Sequence, residues 1–282
     1  MSNYVLTLSC KDRPGIVAAV ATFLAGSGCN IIESAQFGDT GTGLFFMRVV
    51  FASEGGAGLG ELQQGFAPVS ARFEMSAAIH DLATRARVLV MVSKFGHCLN
   101  DLIYRWKIDA LPIDIPAVVS NHTDFRDLTE AAGLNFVHIP VTRATKAEGE
   151  AALLDLVARE GIDLVVLARY MQVLSDDACR RLEGRVINIH HSFLPSFKGA
   201  MPYHQAHARG VKLIGATAHY VTADLDEGPI IEQDVARVNH AASPADMVAI
   251  GRDVEAQVLA RAIKYHVEHR VFVNDSRTVI FT

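Results

Sequence analysis

The spacing of apolar residues changes several times along the first eighty positions. Residues 4–9 (YVLTLS) are a short β-rich run, closed by Lys11-Asp12-Arg13-Pro14-Gly15, a turn whose proline fixes φ and whose glycine admits close backbone approach. From 16 to 25 the apolar Ile16, Val17, Val20, Phe23 and Leu24 recur at helical spacing, and Gly26 and Gly28 supply a stop. A β-compatible run over 29–37 meets the Gly-rich break at 38–43, which predicts a hairpin turn into 44–52 (LFFMRVVFA). A second helix around 59–65 and a last strand near 70–75 complete the order βαββαβ, one of the ferredoxin-like arrangements.

Around 80–87 the chain turns polar and the rhythm changes, which sets a domain boundary: 1–84, then 85–282. Apolar runs at 88–92, 115–119, 136–139, 163–168 and 186–189 alternate with helical stretches at 98–107, 124–132 and 147–159. Continuous apolar strands between helices predict an α/β domain, a doubly wound and mostly parallel sheet covered on both faces. Ligands in such sheets bind beyond the carboxyl ends of the strands, so the residues after Ala168 and Ile189 are the first place to look. Ser243-Pro244-Ala245-Asp246 opens a helix to about His269, read as a cover rather than a site, and a terminal hairpin follows at 271–281.

Composition narrows the function. A net charge of −5 with scattered Lys and Arg offers no phosphate-binding tract, so nucleic acid is not an expected partner. Cys10, Cys29, Cys98 and Cys179 stand apart without a CxxC pair, which fits reduced core thiols of a cytoplasmic protein. Neither a leader pattern nor an apolar run of membrane-spanning length is present in these residues, so no membrane partner is expected. The strand at 88–92 leads into SKFGHCLND without GxGxxG or a P-loop, which removes the main support for dinucleotide or nucleotide cofactors.

Polar side chains gather at 188–199 (NIHHSFLPSFKG), where Asn188 and His190 alternate onto one side of a strand end. At 216–231 (ATAHYVTADLDEGPII), two acids occupy a loop after another strand. An amide, an imidazole and a carboxylate suffice for acyl transfer without a metal or a covalent intermediate: two groups hold an oxyanion, one protonates the leaving nitrogen and one deprotonates the nucleophile. Taken singly, an Asn or His at a strand end is as readily a structural residue. The pair His190-His191 is not read as a metal site, because adjacent strand residues face opposite ways. His138, His204, His207, His266 and His269 read as surface residues.

Two resemblances sharpen this. KDRPGIVAAVATFLAGSGCNI (11–31) resembles the ACT domain, an amino-acid sensor, and implies a regulatory ligand held near Asp12, Pro14 and Gly15, at a helix start whose free N–H groups suit a carboxylate. The motifs at 188–199 and 216–231, with LARYMQVLS at 167–175, resemble the formyltransferase family that uses formyltetrahydrofolate. That resemblance implies a catalytic trio Asn188, His190 and Asp226 supported by His219. It implies a folate pocket from Arg169, Tyr170, Met171, Val173, Leu174, Thr222, Asp224 and Leu225, with no cofactor. Members that formylate a nucleotide amine carry a glycine-rich loop after the first strand of this domain, where this chain has bulky Lys94, Phe95 and His97, although Lys94 could still meet a phosphate. Arg169 stands where such members commonly have glycine, and His191 where they commonly have proline. Joined to an ACT domain, the pattern implies water as acceptor: hydrolysis of 10-formyltetrahydrofolate to formate and tetrahydrofolate, serving one-carbon and purine metabolism. Methionine or glycine would be the effector, and ACT pairing implies a homo-oligomer. The alternatives are a formyltransferase acting on an amine acceptor and a non-catalytic folate sensor.

Overall fold

The computed structural model describes residues 2–192, 194 and 202–282, so Phe193 and residues 195–199 of the NIHHSFLPSFKG motif lie outside the described residues. The chain divides into two compact units. The first comprises the residues up to Arg85 together with Glu268–Phe272 and Val279–Thr282; the second comprises Ala86–Val267 and Val273–Thr278.

In the first unit, β1 (Ser2–Lys11), α1 (Ile16–Gly26), β2 (Cys29–Asp39), β3 (Leu44–Ser53), α2 (Leu59–Phe73) and β4 (Ser76–Asp81) form a four-stranded antiparallel sheet in the order β2-β3-β1-β4. The order βαββαβ is as the sequence predicts, but the last strand is not at 70–75. The second helix continues through those positions because Leu62, Phe66 and Phe73 lie on one face and are all buried. Pro68 is tolerated inside it on the exposed side, where the carbonyl it leaves unpaired meets water. Strand β3 is buried along nearly its whole length. One face packs on the helices; on the other, the Arg48 guanidinium donates to the Glu268 carbonyl at 3.1 and 3.3 Å, and Phe46 meets Phe272 edge to face. The sequence reading assigns this C-terminal stretch to the second domain, because no local pattern shows which sheet it covers.

The second unit runs β5 (Ala86–Val92), α3 (His97–Lys107), β6 (Ile113–Asp114), β7 (Val118–Ser120), α4 (Arg126–Ala131), β8 (Phe136–His138), α5 (Lys146–Arg159), β9 (Leu164–Leu167), α6 (Asp176–Arg181), β10 (Val186–His190), α7 (Pro202–Arg209), β11 (Leu213–Tyr220), β12 (Ile230–Arg237) and α8 (Pro244–Val267). The order across the main sheet is β12-β11-β10-β9-β5-β7-β8, with β6 paired to β5. It is parallel from β10 to β8 and antiparallel at β11 and β12. The run at 115–119 yields a strand only from Val118, since Pro116 cannot donate to the ladder. Strands β5 and β9 are almost wholly inaccessible, as a sheet covered on both faces requires. A hairpin of β13 (Val271–Asn274) and β14 (Arg277–Ile280) ends the chain.

Candidate active site

The site lies at the carboxyl ends of β9 and β10. On β10, Asn188 and His190 share a face, and the antiparallel register with β11 sets Asn188 opposite His219. Asn188 Nδ2 is 3.3 Å from His219 Nε2. His219 is buried, and its Nδ1 donates to the Tyr220 carbonyl at 2.9 Å. That bond fixes the ring so that Nε2 faces Asn188 and Asp226. The phenol of Tyr220 contacts His266 Nδ1 at 2.7 Å, so His266 is a packing partner and not a surface residue.

Asp226 reaches the same point from the loop between β11 and β12, in a left-handed conformation (φ 57°) that an aspartate tolerates better than most residues. The loop folds back tightly. A Cβ on Gly228 would lie 1.7 Å from the Tyr220 carbonyl oxygen, so only glycine fits there. One carboxylate oxygen of Asp226 is 3.3 Å from His190 Nδ1 and the other 3.6 Å from His219 Nε2. Hydrogen bonds from these two imidazoles hold its pKa well below the usual carboxylate range, against the opposing effect of burial. With Nδ1 turned to Asp226, His190 Nε2 is buried and has no partner among the described residues. An unpaired buried nitrogen is costly unless a ligand fills the position.

The folate-loop candidates are held from the neighbouring strands. Arg169, directly after β9, is left-handed (φ 64°), and its carbonyl accepts from the Ser93 N–H at 3.2 Å. The Ser93 hydroxyl accepts the Met171 N–H at 3.0 Å and donates to Asn121 Oδ1 at 2.7 Å. Thr222 Oγ1 donates to the Asp224 carbonyl at 3.0 Å, shaping the opposite rim. A cavity of about 240 Å³ results, lined by Arg169, Tyr170, Met171, Val173, Leu174, Asn188, His190, His191, His219, Thr222, Asp224, Leu225 and Asp226 among others. Tyr170 and Leu174 are buried in it, while Met171, Val173 and Leu225 are more than half exposed at its mouth, two apolar lips suited to a flat ring. Burial, with Glu150 adding to it, pushes the Tyr170 phenol up to about 12, so it stays a neutral donor.

Sequence reasoning missed the residues behind this wall. Glu255 on α8, a helix read as a mere cover, is 1 % exposed and accepts from Tyr203 Oη at 2.7 Å, with His97 Nε2 at 2.9 Å. The signal for it is an acid on an apolar helix face, in line with Gly251, Val258, Leu259 and Ala262. His97, Cys98 and Glu255 bring possible metal-ligand atoms within 4.8 Å of one another, but the carboxylate is already engaged by His97 and Tyr203 and faces Arg169. Ser93 and Asn121 left no sequence signal. His269 also departs from the surface reading, since it stacks on His80 with ring centroids 3.8 Å apart. In the first unit, Asp12, Pro14 and Gly15 line a separate hollow with Arg13, Ile16, Val17, Ala18 and Phe45. Gly15 has φ 97° there, and the Asp12 carboxylate lies against Gly38.

An amide, two imidazoles and a carboxylate at the carboxyl end of a doubly wound sheet, in a chain whose first unit has the βαββαβ order of an ACT domain, fit an enzyme of the formyl transferase class. The formyl transferase family pattern matches residues 86–263 and the ACT domain pattern residues 4–64. A formyltetrahydrofolate deformylase from a Corynebacterium species is 51% identical over 99% of this chain and 98% of its own length. The crystal structure of the Burkholderia mallei formyltetrahydrofolate deformylase superposes with a TM-score of 0.96 at 55% identity, covering 100% of both chains. A glycinamide ribonucleotide transformylase structure from Symbiobacterium toebii matches 72% of this chain and 97% of its own at 29% identity, TM-score 0.67. The chain belongs to the formyltetrahydrofolate deformylase family.

Proposed function

We propose that the chain hydrolyses 10-formyltetrahydrofolate to formate and tetrahydrofolate, with Asn188, His190 and Asp226 as its catalytic residues and the loops at 169–174 and 222–226 as the folate pocket. The observation that carries this reading is the single carboxylate bridging two imidazoles in the wall of one cavity, with Nε2 of His190 buried and without a partner among the described residues. Asp226, held ionised, takes a proton from water as the water oxygen bonds to the formyl carbon. Asn188 and protonated His190 donate to the resulting oxyanion. The bond from carbon to N10 breaks as His190 Nε2 gives that nitrogen its proton. The formic acid released returns a proton to His190, and Asp226 loses its own to solvent, so the turnover yields formate, tetrahydrofolate and one proton. These steps call on water and side chains alone.

The test is incubation with 10-formyltetrahydrofolate and no acceptor, following formate. Formate release by the wild-type protein supports hydrolysis; loss of the formyl donor only when an amine is added supports a transferase, and binding without turnover supports a sensor.

For the ACT unit, the hollow at Asp12 to Ala18 suits a free amino acid, its carboxylate at the start of α1 and its amine near Asp12. Methionine or glycine is the proposed effector, and calorimetry showing no heat at millimolar concentration, with rates unchanged, removes it. Exposed Ile31, Ile32 and Phe37 on the edge strand β2 support self-association through this unit, which light scattering tests. Among the described residues no helix is long and apolar enough to cross a membrane, in keeping with the proposed cytoplasmic location.

A further inference from the structure

The reaction above leaves the buried charged cluster around Glu255 unused. Glu255 joins α8 to Tyr203 on α7 and His97 at the start of α3, and Arg169 Nε lies 3.4 Å from its Oε2, close enough to pair in charge but not aligned to hydrogen-bond. Gly251, one turn earlier on α8, makes room for this arrangement, because a Cβ there would lie 2.1 Å from the Tyr203 hydroxyl oxygen. Burial raises the Glu255 pKa, but His97, Arg169 and Tyr203 outweigh it and the net shift is downward, so the group is an anion. A cation and an anion buried together persist only when each is held by the other and by hydrogen bonds. The Arg169 backbone is itself in the left-handed region, which costs a non-glycine residue energy. The ring of Phe95 lies 5.7 Å from its guanidinium carbon.

Arg169 also lines the cavity, in the same wall as Asn188, His190 and His191. At about 240 Å³ that cavity is just below the ~300–1,000 Å³ usual for a ligand site. His191, whose pKa is lowered to about 4 by burial and by the charges of Arg169 and His190, completes the wall as a neutral ring.

We propose that Glu255 is a positioning and specificity residue: by holding Arg169 in place it keeps the wall beside the formyl carbon closed, admits water and excludes an amine acceptor. The inference rests on the hydrolytic reading above. Without the Glu255 charge, Arg169 is a buried cation lacking its partner and moves toward water, opening the wall next to Asn188 and His190. A small amine then competes with water by the same steps. Its nitrogen bonds to the formyl carbon, its proton passes to Asp226, the bond to N10 breaks, His190 protonates N10, and Asp226 passes its proton to His190, giving a formamide in place of formate.

The experiment compares wild type and Glu255→Gln, which keeps side-chain volume, in full-length protein. Each is given 10-formyltetrahydrofolate with and without glycinamide, and formate and N-formylglycinamide are measured by mass spectrometry, with KM for the folate and a thermal unfolding scan alongside. We expect only formate from the wild type. In the variant we expect a rise of about tenfold or more in the amine-to-water product ratio, equivalent to about 1.4 kcal/mol of lost discrimination, with KM for the folate rising as well, because the displaced Arg169 belongs to the pocket wall. A folded variant with an unchanged product ratio overturns the proposal, whether or not its stability has dropped. If Glu255→Gln does not fold, Tyr203→Phe, which removes one hydrogen bond from the carboxylate, must shift the ratio in the same direction, and an unchanged ratio there also overturns it. Absence of formate from the wild type instead removes the hydrolytic reading on which the proposal stands.

Discussion

Replacing Asp226 with asparagine removes one negative charge while keeping the shape of the side chain and, because asparagine also accepts a left-handed backbone, the path of the loop. The cost follows from the distance to His190. A unit charge 3.3 Å from an imidazolium interacts with it by about 5 kcal/mol at an effective dielectric of about 20. Asparagine retains a dipole and an acceptor oxygen, so part of this survives, and part of what is lost is the proton acceptor for water. At 1.36 kcal/mol per decade, 5 kcal/mol is between three and four powers of ten, and the expected fall in kcat is about 10² to 10⁴. KM for the folate should change little, because the loops at 169–174 and 222–225 are intact. The assay is stopped-time formate release at saturating 10-formyltetrahydrofolate, with circular dichroism confirming a folded variant. A kcat within tenfold of wild type would falsify the role given to Asp226.

Removing one oxyanion donor, by Asn188→Ala or His190→Ala, should lower kcat by about 10² to 10³; near-normal turnover in both folded variants would remove them from the mechanism. Gly228→Ala places a methyl against the Tyr220 carbonyl and must displace the loop carrying Asp226, so kcat should drop by about 10²-fold even if the protein folds, and a fully active variant would contradict the packing described. His191 and His266 each have a pKa lowered to about 4, mainly by burial, so between their ordinary 6.5 and 4 the unfolded chain binds more protons than the folded one. Stability is then present above about pH 6.5 and declines as pH falls toward 4, by up to about 1.4 kcal/mol per pH unit for each group. Asp226, whose pKa is depressed, adds its own loss only below the ordinary carboxylate range. An unfolding temperature unchanged between pH 7 and 5 would refute this account. Gly15→Val should abolish amino-acid binding to the first unit, since φ 97° is open to glycine and strained for a β-branched residue; unchanged calorimetric binding would move the effector elsewhere.

Much of the architecture is legible in local pattern. The apolar runs of β5, β9 and β10 mark a buried parallel sheet, the alternation at Asn188 and His190 places two polar groups on one side of a strand end, and the Pro14-Gly15 turn marks the start of α1. Where local pattern misled, the cause was long-range. The strand predicted at 70–75 does not form, because Phe73 completes the buried face of α2 that Leu62 and Phe66 begin, and Ala71, Arg72 and Glu74 are themselves good helix formers. Glu255 is one acid in a helix with many charges, and its burial follows only from Tyr203 and His97 closing over it.

By itself the sequence determined the order of elements in the first unit and the alternation of strands and helices in the second, because these depend on period and turn chemistry within short windows. Tertiary structure alone decided which groups meet. Asp226 comes to His190 and His219 only through the register of β10 against β11 and the tight return at Gly228. Arg169 comes to Glu255 across 86 residues of chain only because the turn after β9 meets the middle of α8. The physical reason is that charge pairs and hydrogen bonds act over a few ångströms of space, while the pattern along a chain records only what neighbours within a turn or two of backbone must do.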